Sequence, residues 1–553
     1  MTKYLPILSL LALTSLPAAA QSFTPNLPKV NPTQFRQDTF NITKYGAVAD
    51  GLTPSTQAIQ QAIDACGQKG GGVVLLPRGH WRTAGLTLRS GVNLHLAQGA
   101  LLQFSANRAD YPLIKTNWEG LAAVRNQALI YGKDLENVAV TGHGILDGAG
   151  EAWWMVQKGR TPEGEWKQLV ASGGVLNDKQ DRWYPSQQSF QGTKVKEAGV
   201  ITEEKKEVKD FEDIKDYLRP DFLVLDGCKR ILLEGVTFQN SPAWTLHPMM
   251  SQDVVVRGVT VLNGPYTPNT DALDLESINR GLVENCTFSV GDDAICIKSG
   301  RNEQGRQRAM PTENILVRNC TVYRAHGGFV IGSEMSGGAR NIWAQNLTFI
   351  GSDIGLRFKT TRGRGGVVEN IFIENVDMKD IPGEAILFDM YYMIKDPTPQ
   401  VVGSKERPVS PAQPVGEGTP AFRKIFMRNV TCNGARTAML VRGLPERAIE
   451  DISLENAVLQ ADKGLVCIEA NRISLKNVSL LSQQTDPVME VHNSQNITLD
   501  GIKYPAGATT LLRASGADKA KDIKLSNTDV TQAKMPVEFG AGVKKKAVSV
   551  TKK

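Results

Sequence analysis

Four short stretches between residues 269 and 360 carry the side chains of this chain that could do chemistry. They are TDALDLES (270–277), DDAICIKS (292–299), HGGFVIGS (326–333) and DIGLRFKT (353–360). They align without a gap, and the apolar residues at positions four and six predict strands whose intervening polar side chains face outward. Stacked strands lie about 4.8 Å apart, so four strands would gather these polar groups into a patch roughly 15 Å long.

Three aspartates in this patch suit the cleavage of a glycosidic bond. Asp271 and Asp293 occupy the same aligned position on neighbouring strands, and Asp292 directly precedes Asp293. The reaction needs an acid that protonates the leaving oxygen and a base that activates water. Neighbouring like charges raise the pKa of one carboxyl, which keeps an acid protonated. When the carboxyl groups are about 6.5–9.5 Å apart, water fits between them and hydrolysis inverts the anomeric configuration.

Three further side chains of the patch point to an acidic substrate. His326 can tune the protonation of a nearby acid. Arg357 and Lys359 project from one strand and suit the binding of a carboxylate, which arginine can hold in bidentate fashion. The residues therefore indicate hydrolysis of an acidic polysaccharide. A structural Asp–Lys ladder on the surface of a solenoid is the alternative.

A sequence repeat explains how residues far apart along the chain would meet. Its pattern is a polar residue, Ile or Val, any residue, Leu or Val, any residue, Asn or Gly, an apolar residue and Thr. Examples are RILLEGVTF (230–238), NILVRNCTV (314–322) and RISLKNVSL (472–480), and starts are mostly separated by 21 to 29 residues. Such a period indicates stacked coils with one continuous core. We predict an all-β parallel β-helix, capped at its N-terminal end by a helix over residues 56–66.

The chain divides into one large domain with short terminal segments. Residues 1–20 combine Lys3, an apolar run and an A-x-A pattern, which predicts a secretory signal peptide and no membrane anchor. The protein would then be exported, to the periplasm or the medium. Residues 21–39 are interpreted as an N-terminal arm, 40–535 as the β-helix domain and 536–553 as a Lys-rich C-terminal tail.

Two insertions interrupt the repeats, at 151–222 and 393–420. Both are long enough to cover or wall one end of a groove. A groove with a closed end suits the release of single terminal sugars, so these insertions favour exo cleavage over endo cleavage. The alternative is that both are solvated insertions without a role.

Composition limits the possible partners. A net charge of +6 over 553 residues is weak and is compatible with an acidic partner. The seven cysteines, an odd number, argue against a disulfide framework. The triplet Gly70–Gly72 follows a helix instead of opening one, so it does not indicate phosphate binding. We expect a monomer that needs no metal or cofactor and binds an acidic polysaccharide, not nucleic acid or a membrane.

The motifs also resemble a known family. NTD (269–271), GDD (291–293), HGG (326–328) and RFK (357–359), in this order, resemble the four motifs of glycoside hydrolase family 28, the pectin-degrading polygalacturonases. YGAVADG, GGGVVLLPRG and NSPAWTLHP look similar as well, so the likeness covers roughly residues 40–535.

This resemblance implies a right-handed β-helix and inverting, metal-free hydrolysis of α-1,4-galacturonosyl linkages in pectin. It implies that Asp292 is the general acid and that Asp271 and Asp293 hold and activate the water. It further implies that His326 supports the acid and that Arg357, Lys359 and one of Tyr391 and Tyr392 bind the substrate. By position, His247 and Asn269 are candidates to contact the substrate and Glu334 is a candidate to bind sugar hydroxyls. The alternatives are packing against Trp244 for His247 and solvated charge for Glu334.

Three alternatives to a polygalacturonase stay open at this point. A rhamnogalacturonan hydrolase, or another hydrolase acting on pectin side chains, would belong to the same family. A pectate lyase would share the β-helix but need a Ca²⁺-binding carboxylate set and a base. A carbohydrate-binding solenoid would lack catalysis.

Overall fold

The computed structural model describes residues 23–395 and 410–551, together with residues 399, 407 and 408. The predicted signal peptide, the first two residues of the predicted arm and part of the 393–420 loop lie outside the described residues. The chain forms a right-handed parallel β-helix, as predicted.

The strands stack in three parallel ladders, of which the first carries the four aligned stretches. Its strands are Leu86–Thr87, Ile130–Lys133, Leu223–Asp226, Leu246–Met249, Leu273–Glu276, Ile295–Lys298, Gly327–Ile331, Ile354–Lys359, Val367–Asp389, Ala421–Arg442, Ile449–Ile468, Met489–His492, Ala508–Ser515 and Ala533–Phe539. Three of these, Val367–Asp389, Ala421–Arg442 and Ile449–Ile468, are long: each begins in the second ladder, passes through the third and ends in the first.

The other two ladders complete each coil. The second is formed by Thr39–Asn41, Gly72–Leu76, Val92–Leu96, Glu136–Gly142, Lys229–Glu234, Gln252–Arg257, Asn279–Glu284, Thr312–Tyr323, Ala339–Ile350, Ala470–Ser482, Gln495–Asp500, Lys521–Ser526 and Val548–Thr551. The third is formed by Asp50–Pro54, Gly79–Thr83, Ala100–Phe104, Ile145–Asp147, Thr237–Gln239, Thr260–Leu262 and Thr287–Ser289, and it continues in the last residues of Thr312–Tyr323 and Ala339–Ile350.

Asparagine ladders explain the asparagine that recurs at the turn position of the repeat. Asn285, Asn319, Asn346 and Asn375 all have φ between 54° and 57°. This left-handed conformation is one that asparagine tolerates better than most residues. Each amide donates to the oxygen of the asparagine one coil earlier, at 3.3, 3.1 and 2.9 Å along this series. The Asn of the repeat is therefore a corner residue that both turns the chain and links the coils.

The N-terminal end is capped and the arm lies along the outside of the coils. Helix Thr56–Gln68 packs Ile59 and Ile63 into the core, which confirms the predicted cap. Asn31 of the arm hydrogen-bonds to the carboxylate of Asp253 at 3.0 and 3.1 Å.

The C-terminal boundary of the predicted domain is wrong. Strand Ala533–Phe539 continues the first ladder, and Val548–Thr551 pairs in register with Lys521–Ser526. The predicted solvated tail, 536–553, is therefore the last part of the β-helix through residue 551. Its alternating Val548 and Val550 supply the strand pattern that the cluster of lysines obscured.

Short elements outside the coils cover one side of the first ladder. They include the antiparallel hairpin Leu113–Trp118 and Leu121–Asn126, and a small sheet of Val156–Gln157, Val175–Leu176 and Arg182–Tyr184. The remaining helices are Glu163–Ala171, Gln187–Gly192 and Asn302–Arg308, with 3-10 turns at Ile42–Tyr45, Arg108–Asp110, Gly150–Ala152, Lys158–Arg160, Val208–Tyr217, Ala517–Lys519, Val530–Gln532 and Lys545–Ala547. The longest described helix has 13 residues, and none in the described ranges has the length and hydropathy of a bilayer span.

Candidate active site

The predicted register of the four aligned stretches is confirmed. Leu273 pairs with Ile295, Ile295 with Phe329, and Phe329 with Leu356. These residues are fully buried in the core, so the alternate positions face outward as the period of two requires. Asp271 and Asp293 are consequently neighbours on adjacent coils, and the amide of Ala272 donates to the carbonyl of Asp293 at 3.0 Å.

The three aspartates form one tight carboxylate cluster. One oxygen from each of Asp271, Asp292 and Asp293 lies within 4.8 Å of the others. This is shorter than the separation expected for water between an acid and a base, so that expectation does not hold between the nearest oxygens. A single water that hydrogen-bonds to both Asp271 and Asp293 at about 2.8 Å still fits, because such a water spans up to about 5.6 Å.

The surroundings shift the pKa values of these three carboxyls in different directions. Burial and the nearby Asp292 charge raise the pKa of Asp271, and burial and the Asp293 charge raise the pKa of Asp292. Although burial opposes ionisation, the Lys359 ammonium and the Arg357 guanidinium hold the pKa of Asp293 well below its usual value. The cluster therefore keeps one fixed carboxylate beside two carboxyls that can hold a proton.

Asp293 is held by direct ion pairs. Lys359 Nζ lies 2.6 Å from its Oδ2, and Arg357 Nη1 lies 3.0 Å from its Oδ1. The ring of Tyr392 covers both cations, at 4.9 Å from Lys359 Nζ and 5.7 Å from Arg357 Cζ. The two cations predicted to bind a substrate carboxylate are thus already engaged with a carboxylate of the chain. Arg357 Nε is buried and has no hydrogen-bond partner among the described residues.

Of the two candidate tyrosines, the structure brings Tyr392 to the site. Tyr392 lines the cavity beside the three aspartates. Tyr391 is 3% exposed, and its hydroxyl lies 3.3 Å from Ser410 Oγ. The sequence left the choice between them open, and the structure favours Tyr392, because the side chain of Tyr391 packs below the 393–420 loop.

His326 lies next to Asp292 and is oriented by Asp353, a residue without a predicted role. Its amide donates to the carbonyl of Asp292 at 2.8 Å, and its Nδ1 lies 2.9 Å from Asp353 Oδ2. Asp353 occupies the position aligned with His326 on the next coil, so the alignment itself contained the signal. A carboxylate on Nδ1 fixes the ring and leaves Nε2 for the site.

His247 does not line the groove, so substrate binding by this residue is wrong and the alternative, packing against Trp244, is confirmed. Its side chain is fully buried, with Nδ1 3.2 Å from Asp221 Oδ2 and Nε2 3.0 Å from Glu276 Oε2. Burial disfavours the imidazolium, but the hydrogen bonds to Asp221 and Glu276 raise the pKa of His247 to about 10. The ring also packs edge-on against Trp244 at 4.9 Å. His247 is a structural cation below the site.

We expect His247→Asn to lower the free energy of unfolding by about 3–5 kcal/mol near pH 6, because it removes the cation paired with buried Asp221 and leaves buried Glu276 with Arg308 alone. The folded pKa of about 10 exceeds the ordinary value of 6.5. The imidazolium therefore contributes its full stabilisation below about pH 6.5, and this is lost as the pH rises towards 10. Urea unfolding at pH 6 and pH 9.5 should show a smaller difference between variant and parent at the higher pH. Equal differences at both pH values would contradict this role.

A buried lysine behind the cluster also went unassigned in the sequence. Lys298 Nζ lies 3.8 Å from Asp271 Oδ2 and 3.3 Å from both Asp274 Oδ1 and Glu334 Oε2. It is 4% exposed and lies 4.0 Å from the ring centroid of Trp244. Glu334, predicted to bind sugar, is tied to Lys298 while still lining the cavity. The repeat predicts that Lys298 faces outward, but it does not predict that Trp244 and its neighbours bury this side chain.

A wall closes the cavity on one side, and most of it comes from segments outside the repeats. Glu119 lies at the tip of the hairpin, where Glu119 and Gly120 both have positive φ, of 47° and 76°, as a tight two-residue turn requires. Arg301 Nη1 lies 3.0 Å from Glu119 Oε2, and its Nη2 lies 2.8 Å from Glu197 Oε1. The predicted site residue Asn269 joins this wall, since its Oδ1 accepts from Arg219 Nη2 at 2.7 Å.

Two cavities meet at the aspartates. The inner cavity, of about 170 Å³, contains Asp271, Asp292 and Asp293 and ends at Glu119, Asn269 and Arg301. These last three also line a side cavity of about 250 Å³, so they form a partition between the two. The outer cavity, of about 660 Å³, contains His326 and Asp353 and extends to the 151–222 insertion. Asp292 alone of the three aspartates lines both the inner and the outer cavity.

The carboxylate cluster is not an open ligand set for a cation. Three acidic oxygens within 4.8 Å could surround a metal ion by distance alone. Asp293 is already paired with Lys359 and Arg357, and Lys298 lies beside Asp271. These fixed cations compete with a metal ion for the same oxygens.

Fold and site together define a parallel β-helix protein with an acid–base carboxylate cluster in a groove walled at one side. Residues 168–405 match the family described as Glycosyl hydrolases family 28. A hyperthermoactive exopolygalacturonase from Thermotoga maritima superposes with a TM-score of 0.67 and is 32% identical, over 81% of this chain and 93% of that chain. The chain belongs to glycosyl hydrolases family 28.

Curated relatives agree with this assignment. A probable polygalacturonase of Vitis vinifera is 30% identical over 62% of this chain and 61% of its own length. An exo-poly-alpha-D-galacturonosidase of Dickeya chrysanthemi is 28% identical over 64% of this chain and 57% of its own length. The chain thus spans about three fifths of the length of the curated relatives it matches.

Proposed function

We propose that the protein is a pectin-degrading hydrolase that removes terminal galacturonate from the non-reducing end of α-1,4-linked polygalacturonate. The observation that carries this proposal is the position of Asp292 between the two cavities. A general acid must reach the oxygen that joins the sugar being released to the departing chain. Relatives named polygalacturonase and exopolygalacturonase support the substrate class.

The side chains then act in a single displacement. Asp292 donates its proton to the glycosidic oxygen, and the bond from this oxygen to the anomeric carbon breaks. A water held by Asp271 and the ionised Asp293 attacks that carbon from the opposite face and gives up its proton to the carboxylate pair. The new bond inverts the configuration. His326, fixed by Asp353, stands on the leaving side and supports the proton on Asp292.

The position of the carboxylates that hold the water determines which end of the substrate lies in which cavity. They belong to the inner cavity, so the sugar attacked by water sits there and the departing chain lies in the outer cavity. The partition of Glu119, Asn269 and Arg301 bounds the inner cavity on one side. Arg301 joins Glu119 at the hairpin tip to Glu197 by two ion pairs, which hold this partition in place. This supports exo cleavage.

Binding of the substrate carboxylate would use the cations around Asp293. Lys359 and Tyr392 line the inner cavity, and Arg357 is paired with Asp293 beside them. Asn269 and Glu334 line it as well and are positioned to contact sugar hydroxyls. The expectations that the chain is exported and monomeric stay predictions.

Early products from polygalacturonate in EDTA test this proposal. We expect free galacturonate from the first minutes, with the inverted anomer observed by proton NMR before mutarotation. A ladder of oligomers would contradict exo action. Dependence on Ca²⁺ with an ultraviolet-absorbing unsaturated product would indicate a lyase. Cleavage of rhamnogalacturonan in place of polygalacturonate would overturn the substrate assignment.

Opening the partition should change the product pattern. Arg301→Ala removes both ion pairs that join the hairpin tip to Glu197, so a longer glycone can enter the inner cavity. We expect digalacturonate and larger products to appear early beside the monomer. Arg306→Ala is the matched control, because Arg306 lies on the helix that begins directly after Arg301 and donates to the carbonyl of Gly363. Unchanged monomer release from Arg301→Ala would show that the partition does not limit glycone length.

A further inference from the structure

We propose that Arg160, Tyr266 and Arg324 form a binding site for a second uronate unit on the leaving side, counted away from the cleaved bond. This inference rests on the proposed function and identifies what the outer cavity recognises. That cavity, of about 660 Å³, is almost four times the size of the inner cavity of about 170 Å³. If the inner cavity accepts one terminal sugar, the outer cavity has room for more than one.

The 151–222 insertion supplies one of the two cations. The 3-10 turn Lys158–Arg160 follows the short strand Val156–Gln157, which pairs with Arg182–Tyr184. This small sheet carries Arg160 to the rim of the cavity, where its guanidinium carbon lies 5.2 Å from the ring centroid of Tyr266. Stacking on an aromatic face orients a guanidinium and leaves its edge free for an anion.

Arg324 comes from the β-helix itself, directly before the Ala325–His326 pair. It has a φ of 50°, and its amide donates to the carbonyl of Ile350 at 3.0 Å. The backbone at this corner is therefore fixed by the coil stacking. No carboxylate of the described ranges lies within ion-pair distance of Arg324 or Arg160. Both guanidinium groups are thus open to an anion.

The charges that line the outer cavity favour a carboxylate at this place. Its acidic side chains are Asp292 and Asp353, and Asp353 is already hydrogen-bonded to His326. Arg160 and Arg324 remain, and a guanidinium pairs with a carboxylate through two parallel hydrogen bonds. This contrasts with the far side of the inner cavity, where Glu119 and Glu197 face Arg301.

Tyr266 supplies the apolar surface that a sugar ring needs. It is 61% exposed, although large aromatic side chains are usually covered. Neighbouring Pro265 and Pro268 line the same cavity and restrict the backbone on both sides of it. An exposed, backbone-restricted aromatic ring beside two open cations is suited to a uronate, whose C–H face packs on the ring while its carboxylate meets the guanidinium groups.

Kinetics on oligomers of different length distinguish this second uronate site from the catalytic residues and the inner cavity. Digalacturonate fills only the inner cavity and the first leaving position, whereas trigalacturonate also reaches the second. For Arg160→Ala, we expect kcat/KM on trigalacturonate and tetragalacturonate to fall about 10–100-fold, as for a lost charged hydrogen bond. On digalacturonate it should stay within about twofold of the parent. Arg160→Lys should recover part of the loss, because lysine keeps the charge but not the bidentate geometry.

Lys158→Ala is the matched control, since it removes the same charge from the same turn without touching the cavity. Its kinetics should follow the parent on every oligomer. An equal loss for Arg160→Ala on digalacturonate and trigalacturonate, or no loss on either, would overturn the assignment. A similar loss for Lys158→Ala would show that general charge, and not a site, binds the chain.

Calorimetric binding to Asp292→Asn keeps this test independent of catalysis. We expect that variant to bind trigalacturonate about tenfold more tightly than digalacturonate, and Arg160→Ala in the same background should abolish the difference. Equal affinity for both oligomers in Asp292→Asn would overturn the second uronate site. Hydrolysis of neither oligomer by the parent, with the binding difference retained, would instead refute the proposed function alone.

Discussion

Asp292→Asn is expected to lower kcat on polygalacturonate by about 10²–10⁴-fold while leaving oligomer binding close to that of the parent. Asparagine has the same shape and its oxygen can still accept the hydrogen bond from the amide of Asp293, at 3.0 Å in the parent. It cannot deliver a proton to the leaving oxygen. Initial rates by reducing-sugar assay measure the loss of kcat, and calorimetric binding of trigalacturonate measures whether oligomer binding is retained.

The pH profile adds a second measure of the same role. Burial and the charge of Asp293 raise the pKa of Asp292. Asp292 therefore stays protonated to a higher pH than an ordinary aspartate, and the alkaline limb of kcat should lie above the usual carboxyl range. Asp292→Asn should remove this limb from the residual activity.

Asp462→Asn is the control for this substitution, since Asp462 is exposed on a distant coil of the same fold. It should retain parental activity. A loss of less than about tenfold for Asp292→Asn would contradict the acid role. Unchanged binding together with no activity in the parent would favour a carbohydrate-binding solenoid over an enzyme.

Lys359→Met is expected to damage stability and catalysis together. Lys359 Nζ lies 2.6 Å from Asp293 Oδ2, and both side chains are buried. Removing one partner of a buried ion pair typically costs about 3–5 kcal/mol. Loss of this cation also raises the pKa of Asp293, so the fixed carboxylate beside the attacking water would be partly protonated. We expect kcat to fall about 10²–10³-fold, as when other preorganised electrostatic groups are removed.

The sign of the pH effect follows from the lowered pKa of Asp293. A carboxyl whose folded pKa lies below its unfolded value stabilises the protein above the unfolded pKa, and this is lost as the pH falls through the folded pKa. Lys359→Met should therefore lose stability relative to the parent near neutral pH and regain part of the difference in acid. The acid limb of kcat should move to higher pH.

Lys379→Met is the matched control for Lys359→Met. Lys379 pairs with Asp380 at 3.7 Å, with both side chains more than half exposed. An exposed pair of this kind contributes little, so urea unfolding and activity should change little. Parental stability and an unshifted acid limb in Lys359→Met would contradict the role of Lys359 in holding Asp293 ionised.

Several features of this site are contained in the sequence because they depend on local periodicity. Alternation with a period of two sets which side chains face outward, and a repeated coil length sets which ones become neighbours. Asp271 and Asp293 could therefore be placed side by side without a structure. The corner asparagines follow the same logic, because their backbone conformation is a local preference.

Other features depend on contacts between segments that share no period. The hairpin tip at Glu119 comes from a segment before the clear repeats, so nothing in the motifs connects it to Arg301. The choice between Tyr391 and Tyr392 depends on how one turn packs against Ser410. Whether His247 lines the groove depends on its cover: it is fully buried against Trp244, which packs in turn on Trp118 of the hairpin.

The protonation of the aspartates shows most clearly what the sequence determines and what the tertiary structure determines. Sequence alone determined that three aspartates, a histidine and two cations would meet on one face of a solenoid, since residue type and coil register are both encoded locally. Only the tertiary structure decided which carboxyl stays ionised and which can carry a proton. That choice depends on burial and on distances of a few ångströms between charges, because electrostatic energies in a water-excluding site change steeply over such distances.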